Sequence, residues 1–234
     1  DDLYMANYLE TTLGFYHQTG ECDFLFCSVQ EFGKSNSIKN YIQNHCEKTG
    51  DMGFSLLRTF YGKEWIGSVT SALSMKRAIL KKILPLPFLE EWRTQADNCL
   101  VYGSSLVGAR KYFISQPLIK YRVHENNNWH GKVHTKSYKY KKLLATEQVM
   151  PFILKQNYLP KELWDLIVSE FKSIPSPNYY DLKRYVDILN MSNFGYKHKR
   201  KIIRKLKRVY LRCLKKRVTL YVKEKIKDSK IFET

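Results

Sequence analysis

Three groups of residues could do chemistry by type and spacing. The chain opens on adjacent carboxylates, Asp1-Asp2; a lone acid, Asp97, follows Trp92-Arg93-Thr94-Gln95-Ala96; and Tyr121-Arg122-Val123-His124 runs into Glu125-Asn126-Asn127-Asn128. Side-by-side carboxylates offer the oxygen ligands that a hard divalent cation prefers, and that cation would in turn hold a diphosphate. The same pair also serves as turn and capping residues. Asp97 opens a helical pattern, where an aspartate ordinarily acts as an N-cap. Arg122 suits phosphate oxygens or a structural ion pair. His124 closes a strand pattern, either as a hydrogen-bonded surface histidine or as a ligand; with His130 and His134 its spacing matches no zinc site.

These residues need elements to hold them. Asn7, with Glu10 three residues later, reads as a capping box opening a helix through Gln18, with Leu9, Leu13 and Tyr16 on one face. Cys22 to Val29 is β-branched and aromatic enough for a buried strand. Lys34 to Gly62 reads as loop with short helical pieces. Trp65 to Met75 reads as a strand, followed by a helix over Lys76 to Ile83 that Pro85 and Pro87 end. A further helix spans Ala96 to Gly108, and Lys111 to Ile114 and Pro117 to His124 read as two strand segments. Helices and strands mixed in this order make an α/β chain. From Lys136 to Lys205 the pattern is helical, broken at Pro151, Pro160 and Pro175-Ser176-Pro177.

The order of the three groups resembles the second half of family-2 glycosyltransferases of the GT-A fold. Asp1-Asp2-Leu3-Tyr4-Met5-Ala6-Asn7-Tyr8-Leu9-Glu10 is similar to the end of that family's Asp-x-Asp-Asp segment, with Ala6 where proline is common. Gly67 to Arg77, followed by Leu84-Pro85-Leu86-Pro87, is similar to the segment lining the acceptor side. Ala96-Asp97 resembles the pair whose aspartate is the general base, and Gln116 to His124 the strand delivering Tyr-Arg-x-His near the donor diphosphate. The resemblance covers residues 1 to 130 and implies a Rossmann-like partial GT-A sheet. It implies transfer of a sugar from a UDP- or dTDP-sugar to a glycan or lipid-linked acceptor, with inversion. Mn²⁺ or Mg²⁺ would be held by Asp1, Asp2 and His124, Arg122 would contact the donor, and Asp97 would be the base. Trp65, Thr70, Ser71 and Trp92 become candidates for the acceptor groove, since aromatic faces stack on sugars and hydroxyls orient them. The family's base-gripping half precedes this point, so the segment alone is expected to have little activity, or to be a non-catalytic remnant.

The organisation reads as residues 1–135, the transferase part; 136–195, a helical extension; and 196–234, a basic amphipathic tail. Of the 40 Lys and Arg, 16 lie from Lys197 onward against three of the 22 acids, so the tail carries +13 of the net +18. Such a helix lies along an anionic membrane surface through residues 197–227, or packs its stripe on the domain with its charges in water. Charge alone argues for nucleic acid, but no base-reading module is recognisable in the body. The five cysteines show no Cys-x-x-Cys spacing, and no stretch is apolar enough to span a bilayer. Reduced thiols and a cytoplasmic location, peripheral at the inner face of the membrane, are expected.

Overall fold

The computed structural model describes residues 1–40, 48–87, 95–125, 127, 132–157 and 160–231. The chain forms two compact units, Asp1–Leu163 and Trp164–Thr234.

The first unit is α/β, as the pattern implied. In chain order it holds β1 (Leu3–Tyr4), α1 (Tyr8–Thr19), β2 (Phe24–Gly33), β3 (Ile38–Lys39), β4 (Gly50–Gly53), α2 (Leu56–Phe60), a 3₁₀ turn (Thr70–Ala72), β5 (Leu73–Met75), α3 (Arg77–Ile83), α4 (Ala96–Leu106), β6 (Lys111–Val123) and α5 (Lys136–Asn157). Two long parallel strands, β2 and β6, form the centre of a mixed six-stranded sheet. β1 and β4 pair antiparallel along the free edge of β6, and β3 and β5 along that of β2.

Both central strands are covered on both faces, which is why their sequences are nearly continuous apolar runs. Leu25, Cys27 and Val29 share one face with Tyr112, Ile114 and Ile119, under Tyr8, Phe15 and Tyr16 of α1. This corrects the helical face expected for α1. Leu9 and Leu13 are exposed, and the inward register is Tyr8, Thr12, Phe15 and Tyr16, set by aromatic contacts such as Phe15 edge-on to Tyr112 at 5.7 Å. Asn7 precedes α1 without a side-chain cap bond, so the expected capping box does not form. The other face carries Phe24, Phe26, Phe113 and the fully buried Lys111. The Lys111 ammonium donates to the carbonyls of Ile66 and Val101, both at 2.8 Å, and sits over the Phe24 ring. Satisfied donors make so deep a lysine tolerable, though burial still pushes its pKa well below the ordinary value.

Several boundaries differ from the sequence reading. Lys34 to Gly62, read as loop with short helical pieces, also supplies β3 and β4 to the sheet. The two segments expected at Lys111 and Pro117 are one strand: Cys27 pairs with Ile114 and Ser28 with Pro117, so Ser115 and Gln116 bulge out between them. The bulged Ser115 N–H is satisfied by Thr49 Oγ1 at 3.0 Å, and Pro117, which has no N–H to give, sits where the ladder is already irregular. Trp65 to Met75 is a strand only over Leu73–Met75, the 3₁₀ turn taking Thr70–Ala72. Pro151 lies inside α5 rather than ending it.

The second unit holds a 3₁₀ stretch ending at Leu166, then α6 (Ile167–Ser173), α7 (Tyr179–Asn190) and α8 (Tyr196–Ile231). Its core is Ile167, Phe171, Leu182, Tyr185, Ile188, Leu189, Ile202 and Leu206. Asn178 and Asp181 close a reciprocal capping box at the start of α7. The long basic helix expected near the end is α8. Among the described residues no helix is long and apolar enough to cross a membrane.

Candidate functional site

Because β2 and β6 are parallel, both end on the same side of the sheet, at Gly33 and Val123, and the antiparallel β1 begins there. The sheet therefore gathers Asp1, Asp2, Arg122 and His124 at one edge, outside the carboxyl ends of its central strands, where open α/β sheets bind ligands.

The acids at the start are tied down. The Asp2 carboxylate accepts from the Arg122 backbone N–H at 2.9 Å and from the Ser71 hydroxyl at 2.7 Å, so each oxygen has a protein donor. Asp1 Oδ2 lies 2.8 Å from His124 Nε2, with the two side chains about half exposed. His124 is held from behind by Asn127, whose side-chain carbonyl accepts from the His124 N–H and whose amide donates to the Arg122 carbonyl at 3.0 Å. Gly33 closes the neighbouring strand end with φ +94, and a Cβ there would come within 2.6 Å of the Val123 carbonyl oxygen. That close approach sets β2 against the start of the His124 loop.

Tyr121, at the strand edge, is half-buried. Its phenol pKa is raised by burial first, then by the charges of Asp2, Asp97 and Glu31. Glu31 pairs in register with Tyr121, is almost fully buried, and accepts from the Ser35 and Ser37 hydroxyls, the latter at 2.6 Å. Asp97 is not the N-cap of α4, a place taken by Gln95; it lies in the first turn, where its carboxylate accepts from the Asn98 N–H at 2.8 Å. Burial raises the Asp97 pKa against that hydrogen bond and the positive charge of Lys142. Burial also lowers the pKa of Lys142, on α5, against the pull of Asp97. For both groups desolvation outweighs their mutual attraction.

Of the remaining candidates, Arg122 is exposed, its guanidinium over the Phe32 ring at 5.7 Å from the centroid. Thr70 is exposed on the 3₁₀ turn and Trp65 is half-buried before it. Ser71 is spent on Asp2. Trp92 and His130 lie outside the described residues. Among the described residues no group of three or more His, Cys, Asp or Glu side chains is placed to hold a metal ion. Cys22, Cys27 and Cys99 are buried free thiols, their pKa values pushed by burial to about 12, about 11 and about 11, which makes them poor nucleophiles.

Sequence reasoning passed over two neighbours of this site. Glu31 had a signal, since an acid continues the inward alternation Leu25-Cys27-Val29. Lys142 had none, because only the packing of α5 against α4 brings it near Asp97.

Over 78 residues, 33% of this chain, the sequence is 33% identical to an uncharacterized glycosyltransferase of Nostoc sp., and the matched stretch spans 23% of that protein's length. No family model matches the chain, and no solved structure matches it. The similarity relates part of the chain to a glycosyltransferase.

Proposed function

We propose that this chain carries the acceptor and leaving-group side of a glycosyltransferase of the family-2, GT-A type, moving a sugar from a UDP- or dTDP-sugar to an acceptor hydroxyl with inversion. The observation that carries the reading is the convergence at the carboxyl ends of β2 and β6. Asp1 meets His124 there, and Asp2 is locked to Arg122 and Ser71. Similarity to a glycosyltransferase over a third of the chain points the same way.

The donor set fits a hard divalent ion only in part. Asp1 and His124 face one another as a ligand pair, whereas both Asp2 oxygens are engaged. Mg²⁺ or Mn²⁺ bound through one carboxylate, an imidazole, water and substrate phosphates suits two protein ligands, and when bound it would offset charge on the leaving diphosphate. Asp2 is then a positioning residue that fixes the strand edge. Arg122, exposed beside it, is free to swing from Phe32 to phosphate oxygens. Asp97 takes the proton from the attacking hydroxyl. Its raised pKa makes it a stronger base than an ordinary surface carboxylate, and such proton transfer contributes about 10²–10⁴-fold.

Calorimetric titration of the protein with UDP and dTDP tests this reading. Binding that requires Mn²⁺ and is lost in Asp1→Ala is the expected result. Absence of nucleotide binding with and without metal would overturn it, leaving a non-catalytic relative of such enzymes.

A further inference from the structure

Helix α8 outruns the core it belongs to. Ile202 and Leu206 are buried against the second unit, but beyond them Leu211, Val218 and Tyr221 are 58%, 54% and 61% exposed, with Leu214 and Val222 also open to solvent. At 3.6 residues per turn these five side chains share an arc of about 100° on the side away from Ile202 and Leu206. Exposed cations border the same arc: Arg204 and Lys207 ahead of it, Arg208 and Lys215 along its margin.

A helix with two apolar faces, only one of them used, needs a partner for the other. A second copy is disfavoured by charge, since each tail carries +13. Nucleic acid would satisfy the cations and leave five apolar side chains in water. An anionic bilayer satisfies both, because lipid phosphates pair with Lys and Arg while the apolar stripe sinks to the acyl boundary. We infer that α8 is a docking surface for an anionic lipid bilayer. It lies in the plane of the membrane, with Leu211, Leu214, Val218, Tyr221 and Val222 below the headgroups and Arg204, Lys207, Arg208 and Lys215 on their phosphates. The inference stands independently of the sugar-transfer reading.

The test is co-sedimentation with vesicles of phosphatidylcholine alone and of phosphatidylcholine with one third phosphatidylglycerol. The protein is expected to bind the anionic vesicles at least about tenfold more tightly. The charge-neutral pair Leu211→Ser and Val218→Ser is expected to lose about tenfold or more of that binding while keeping its helical circular dichroism. Should that pair lose helicity, Tyr221→Ser with Val222→Ser, farther from the packed part of the helix, makes the same test. Equal binding to neutral and anionic vesicles would overturn the proposal. So would serine variants that bind anionic vesicles like the parent, with single-stranded RNA bound as tightly as lipid; charge alone would then account for the tail. A concentration-dependent dimer in the ultracentrifuge, dissolved by the serine pair, would assign the stripe to a second copy instead.

Discussion

Asp97 is a carboxylate held where its charged form is disfavoured, and that has opposite consequences for stability and for chemistry. Its folded pKa lies above the unfolded value, so its contribution to stability is present below the unfolded carboxylate range and is lost as the pH rises through the folded pKa. At neutral pH the ionised side chain is therefore a net cost to the fold. Asp97→Asn should hold or raise the thermal midpoint at pH 7 and gain nothing at pH 3, which parallel melts at the two pH values check. If Asp97 is the base, the same substitution lowers turnover by about 10²–10⁴-fold without weakening UDP binding. On that reading, the acid limb of the parent protein's rate profile should sit above the ordinary carboxylate range. A substitution that stabilises while it inactivates is what a strained functional group predicts and what a helix-capping aspartate does not.

The two central strands and their endings determine whether the site forms at all. Gly33 is the point where β2 must stop beside β6: its φ of +94 is a region L side chains rarely adopt, and the Val123 carbonyl leaves no room for a Cβ. The Val123 carbonyl also accepts from the Lys34 N–H at 3.1 Å, locking the two strand ends together one residue before His124. Gly33→Ala should cost about 1–3 kcal/mol by denaturant unfolding. On the proposed sugar-transfer reading, it should also weaken metal-dependent nucleotide binding by shifting His124 away from Asp1. Unchanged stability and binding would mean that the strand end does not position the loop. Much of this scale was legible in the sequence. The runs at Phe24 and Lys111 announced buried strands, the prolines after Ile83 announced the end of α3, and Asp1, Asp2, Arg122 and His124 stood out by type. What stayed hidden depended on distance in space. Nothing local tells that Ser71 will be consumed by Asp2, or that Leu9 and Leu13 will face water. Nor does a proline at position 151 reveal that α5 will run on through it.

At the scale of the whole molecule, each unit has a core of its own. The first is built on the sheet, with Phe24, Phe26, Val29, Phe113 and Ile119 at its centre; the second packs Phe171, Tyr185, Ile188 and Leu189 among α6, α7 and α8. Separate cores predict separate cooperativity, since a domain unfolds as a unit when its own contacts are lost. Tyr185 makes the prediction specific. Fully buried and edge-on to Phe171 at 5.2 Å, it donates its hydroxyl to the buried Glu170 at 2.9 Å. Tyr185→Phe removes the donor and keeps the ring, so about 1–3 kcal/mol should be lost, the cost of taking one hydrogen bond away from a buried carboxylate. Urea titration followed by fluorescence, read once in a variant that keeps Trp164 alone for the second unit and once in Trp164→Phe, which keeps Trp65, Trp92 and Trp129 for the first, should give two transitions. The substitution should shift only the one reported by Trp164. A single transition that moves as a whole would mean that the cores unfold together, and stability changes in the helical unit would then propagate to the residues gathered at the sheet edge.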